Sequence, residues 1–140
     1  MKNKKVYLIH GWGGDSEGGW FNWLKEELPK KGFEVEAFDM PNTFHPKIEE
    51  WVGYLEEKIG AEGENIDEHT YFIGHSIGCQ TIMWFLEKLH KHKRIAGCVF
   101  VAGWFDLIGF EMEEEMAEDN IGKPELPSGF RHKGFNFLFW

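Results

Sequence analysis

Four short runs of this chain read as strands, "KKVYLIH", "FEVEAFDM", "TYFI" and "IAGCVFVAG", the first almost wholly apolar and the last apolar on both faces. Segments with helical periodicity separate them. Strands without a polar face cannot keep one side in water, so they require a parallel sheet with helices packed on both faces. The intervening segments supply those helices. Trp20, Trp23, Leu24 and Leu28 recur at helical spacing before Pro29 and Gly32. Pro46 is expected to open the next helix, where Ile48, Trp51, Val52, Leu55 and Ile59 fall at i, i+3, i+4, i+7 and i+11, the clearest amphipathic pattern of the chain. Ile77, Thr81, Ile82, Phe85 and Leu89 line a third helix, which runs into the basic cluster 90–94. The order β-α-β-α-β-α-β predicts a doubly wound α/β fold with right-handed crossovers. The loops after residues 10, 40, 74 and 103 then share the carboxyl edge of the sheet, where such folds bind ligands.

At 140 residues, 42% of them hydrophobic and 28% charged, the chain has the composition of one globular domain. A net charge of −9 and the absence of any basic stripe argue against nucleic acid. The apolar run Val6 to Ile9 is too short for a signal core, and no run approaches a membrane span, so a cytoplasmic protein that does not engage membranes is expected. Cys79 and Cys98 sit in apolar segments without metal-ligand spacing and read as buried thiols. In "HGWGG" the third glycine of a dinucleotide fingerprint would fall at Ser16, and no Walker lysine follows. No cofactor or metal is expected.

Two of the edge loops carry the chemistry. Gly74-His75-Ser76-Ile77-Gly78 lies between a strand and a helix, as a nucleophile elbow must. A sharp turn there presents the Ser76 hydroxyl alone, and the helix starting at Ile77 directs free N–H groups towards developing negative charge. The loop His10-Gly11-Trp12-Gly13-Gly14 offers a second donor, so the amides of Trp12 and Ile77 form the expected oxyanion hole.

The stretches beginning "VYLIHGWGGDSEGGW", "FIGHSIGCQTIMWFLE" and "FVAGWFD", with Pro41 after "FDM", resemble small single-domain serine hydrolases of the YdeN and retinoblastoma-binding-protein type, in the α/β-hydrolase superfamily. The resemblance runs from about residue 5 to about residue 124. It implies a Ser-Asp-His triad with Ser76 as nucleophile, a loop oriented by His10 and Gly11, and hydrolysis of a small ester, thioester or amide.

Chain order in that superfamily is serine, acid, histidine. After Ser76 come only His90, His92 and His132. His90 and His92 lie at the far end of the helix that Ser76 initiates, about 21 Å away at about 1.5 Å per residue, and read as a solvated cluster. His132 remains as base. Asp106, just past the fourth strand, is the best placed acid among Asp106, Glu111, Glu113, Glu114, Glu115, Glu118, Asp119 and Glu125. The resemblance, however, places acid and base after two further strands that the sequence does not show. His10 and His75 stand nearer the elbow as substitute bases.

Residues 104–126 hold eight acids and one base, with Ile108, Met112 and Met116 at i, i+4 and i+8. They read as an acidic solvated helix, or as a short cap over the site. Residues 127–140 hold no acid and end "GFNFLFW". The expectation is a hydrolase domain over 1–126, with about four strands, its last β-α units missing, and an irregular aromatic tail over 127–140. The alternatives are a non-catalytic binding protein with the hydrolase shape and an unstable fragment.

Overall fold

The computed structural model describes residues 2–103 and the backbone of 137–139. β1 (Lys4–Ile9), β2 (Phe33–Phe38), β3 (Thr70–His75) and β4 (Gly97–Val101) alternate with α1 (Trp20–Glu27), α2 (Ile48–Ile59) and α3 (Ile77–Glu87). All strands are parallel in the order β2-β1-β3-β4-β5, where β5 is Phe137–Phe139. This is one parallel sheet with helices on both faces, and the four strands expected from sequence form its body.

β5 is the departure. Residues 137–139 were expected to be irregular, because three residues carry no readable alternation. They pair with β4 instead, Val99 opposite Leu138. An open strand edge is a template for any nearby extended segment, which a local pattern search does not see. A smaller difference falls at α2, which starts at Ile48 and not at Pro46, with Lys47 in extended conformation as its cap.

The core lies mainly on one face of the sheet. There α2 and α3 bury Trp51, Leu55, Ile59, Ile82, Met83 and Phe85 against Tyr7, Ile9, Phe72 and Phe100. At about 25 cal/mol per Å² of apolar surface, clusters of this size supply the main folding drive. α1 packs on the opposite face over Val6 and Leu8 through Phe21 and Leu24. Beside α1 that face forms a cavity of about 360 Å³ lined by Phe33, Tyr71, Ile73 and Val99.

Because the strands are parallel and in register, the chain leaves β1, β2, β3 and β4 at the same edge. That edge brings together the segments starting at His10, Asp39, Ser76 and Ala102.

Candidate active site

Ser76 follows β3 directly and caps α3 with φ 53 and ψ −122, a backbone conformation that L-residues rarely hold. The turn is fixed on both sides: the Ser76 N–H donates to Val101 O at 3.0 Å, and Ser76 O accepts from Cys79 N at 3.0 Å. The two glycines of the motif are required by space. A Cβ on Gly74 would stand 2.7 Å from Ile82 Cδ1 and 2.9 Å from Cys79 N. A Cβ on Gly78 would collide with Ile9 O and stand 2.5 Å from His10 O. The start of α3 thus lies directly on the end of β1.

That contact sets the "HGWGG" loop beside the nucleophile. A Cβ on Gly11 would be 3.2 Å from Ser76 Cβ and 3.0 Å from His75 Nδ1, so a side chain there would press on both, and glycine eases the close passage of this backbone. The amides of Gly14 and Gly13 bond to Gly11 O at 3.1 Å and to Thr43 O at 2.7 Å. Among the described residues, neither the Trp12 amide nor the Ile77 amide has a hydrogen-bond acceptor. Ile77 lacks one because first-turn amides have no partner within a helix.

His10 is the strut of this loop. Its Nε2 accepts the Met40 N–H at 3.0 Å, which requires the proton on Nδ1, and Nδ1 then donates to Gly11 O at 2.7 Å. Both ring nitrogens are committed to backbone, so the ring ties the ends of β1 and β2 together and is not placed as a base. Burial pushes its pKa down, against a smaller opposing pull from the Gly11 carbonyl, Asp39 and Asp15. His75 turns its ring edge-on to Trp20, with centroids 5.8 Å apart. Burial, and then His10, lower its pKa as well. With Trp20 and Asp15, these two imidazoles wall a cavity of about 270 Å³ between the glycine-rich loop and the start of α1.

These shifts give a signed pH dependence. A histidine held neutral in the fold contributes stability above its ordinary pKa, about 6.5, and loses it as pH falls through the depressed native value. The thermal midpoint is therefore expected to drop as pH is lowered from about 7 towards 5, and His10→Asn is expected to flatten that slope. An unchanged slope in the variant would assign the titration elsewhere.

The remaining expected residues divide. His90 and His92 are exposed, with rings 5.0 Å apart, beyond the far end of α3. Cys79 and Cys98 are buried free thiols. Burial raises the Cys79 pKa to about 12 and that of Cys98 well above its ordinary value, so neither is a competing nucleophile. Asp106, His132 and the cap segment 104–126 lie outside the described residues. Among those described, no group of three or more His, Cys, Asp or Glu is arranged to hold a metal ion, and no helix is long and apolar enough to cross a membrane.

Three contributors escaped the sequence reading. Asp39 Oδ1 accepts the Ser16 N–H at 2.8 Å and folds the far part of the glycine-rich loop back onto the end of β2; that bond lowers its pKa. Asn42 adopts φ 49, and Phe44 projects from the same turn. The signal for the turn was present in "DMPN", a proline followed by a residue tolerant of the left-handed region.

A strained serine between two obligatory glycines, on a parallel sheet with a glycine loop alongside, defines an α/β-hydrolase. The serine hydrolase family model matches residues 6–126, and the chain belongs to that family. It is 30% identical over 131 residues to YdeN of Bacillus subtilis (strain 168), a protein named as a hydrolase; the match covers 93% of this chain and 67% of the relative. The crystal structure of the B. subtilis ydeN gene product superposes with a TM-score of 0.74 at 26% identity, covering 98% of this chain and 84% of that one. A structure described as a hydrolase from Agrobacterium vitis S4 shares the fold, with a TM-score of 0.63 at 16% identity over 98% of this chain and 67% of that one.

Proposed function

We propose that this chain acts on a small ester, thioester or amide, with Ser76 as nucleophile and the Trp12 and Ile77 amides as oxyanion donors. The observation that carries the reading is the approach of Gly11 to Ser76. In support, the loop that carries Trp12 passes Ser76 at Gly11, Ile77 follows Ser76 directly, and among the described residues neither amide has an acceptor. In this scheme Ser76 Oγ attacks the acyl carbon and the carbonyl oxygen takes up negative charge between the two amides. The start of α3 adds its dipole there. The leaving group departs with a proton, and water then hydrolyses the acyl-serine. Asp106 and His132 are the acid and base that the chain order offers. A cytoplasmic setting belongs to the same proposal.

One observation favours a second reading. Among the described residues no imidazole is hydrogen-bonded to the Ser76 hydroxyl, and His10 has both nitrogens engaged. A hydrolase-fold binding protein would keep this geometry without turnover. Labelling with a fluorophosphonate probe separates the two. The expected result is labelling of the folded chain that disappears completely in Ser76→Ala. Absence of labelling on folded protein would leave the binding reading.

A further inference from the structure

Phe44 is a large apolar side chain with 70% of its surface exposed, yet the backbone that carries it is fastened on every side. Asn42 holds the left-handed conformation and donates through Nδ2 to Glu50 Oε2 on α2 at 2.8 Å. The His45 N–H donates to Asn42 O at 2.9 Å. Thr43 O accepts from Gly13 N, and Phe44 O accepts the Trp12 indole N–H at 2.8 Å. The Phe44 ring lies against the glycine loop, since a Cβ on Gly13 would stand 3.5 Å from Phe44 Cε1. None of these bonds needs an aromatic side chain at position 44, because all of them use backbone atoms or neighbouring residues. Phe44 is therefore both apolar and presented, beside the loop that passes Ser76. Exposed aromatics on a rigid support at a ligand edge are what a binding surface for apolar groups requires.

We propose that Phe44, with Trp12, forms the acyl-binding wall of the site, and that the substrate carries an apolar acyl chain longer than acetyl. Trp12 and Gly13 also line the cavity at His75 and Trp20, so the wall adjoins that cavity along the glycine-rich loop. This assignment rests on the serine hydrolase reading for its chemistry, but not for its binding.

The test therefore has two arms. In the first, hydrolysis of p-nitrophenyl hexanoate and p-nitrophenyl acetate is compared. The hexanoate-to-acetate ratio of kcat/KM is expected to fall about tenfold in Phe44→Ala, as loss of contact with a few methylenes predicts. Trp23→Ala, which removes another exposed aromatic on the outer face of α1, should leave the ratio unchanged. In the second arm, hexanamide and acetamide are titrated by NMR into Ser76→Ala, where no reaction is possible. Hexanamide should bind more tightly, and adding Phe44→Ala should weaken it about tenfold. Wild-type protein that fails to hydrolyse either ester, with Phe44-dependent hexanamide binding intact, sinks the catalytic reading and supports the wall. Chain-length preference that is absent, or indifferent to Phe44 in both arms, overturns the wall.

Discussion

Gly78→Ala is expected to lower the unfolding free energy by about 2–4 kcal/mol and to abolish fluorophosphonate labelling. Overpacking a filled site costs about 1–3 kcal/mol, with larger values where nothing can yield. Here the obstacle is two backbone carbonyls, Ile9 O and His10 O, at the end of a central strand whose last four side chains, from Val6 to Ile9, are buried. They cannot rotate away as a side chain would. Relief requires α3 to lift from β1, and that same contact positions Gly11 against Ser76. Stability and reactivity should therefore fall together. Urea denaturation gives the first quantity and probe labelling the second. A variant that unfolds within about 0.5 kcal/mol of wild type would show that the helix does not rest on the strand as described.

The contrast between Gly78 and Phe44 shows what a sequence discloses about such a site. The elbow was legible because its requirement is local: strand, glycine, serine, glycine and helix follow one another within ten residues, and each has a steric or electrostatic reason. The parallel sheet was legible for the same reason, since strands as apolar as β3 and β4 leave no wet face. Other features depend on segments far apart in the chain. His10 was read as a loop-orienting residue, but its tautomer follows from Met40, thirty residues on. Phe44 gains a role only through Trp12 and Gly13, on the preceding strand's loop. β5 forms because β4 offers an edge, and nothing within Phe137–Phe139 announces it. Periodicity reports which face a residue occupies and is silent about which loop it meets.

Ser76→Gly is expected to lose all probe labelling and yet to unfold at higher urea than Ser76→Ala, by about 1 kcal/mol. Both variants lack the nucleophile, so they differ only in what the backbone requires. At φ 53 and ψ −122 a Cβ is strained, at a cost of about 1–3 kcal/mol. Alanine keeps that strain and glycine removes it. Against this, glycine gains freedom in the unfolded chain, which offsets about 0.4–1 kcal/mol. The balance favours glycine because the turn is held from outside: by Val101 O on the Ser76 amide, by Cys79 on its carbonyl, and by Gly11 packed alongside. A serine at this position is thus kept against the backbone's preference. That is the pattern expected where a hydroxyl is presented for chemistry and stability is given up to present it. Equal or greater stability of Ser76→Ala would mean that the elbow is relaxed, and the turn would then need no functional reason.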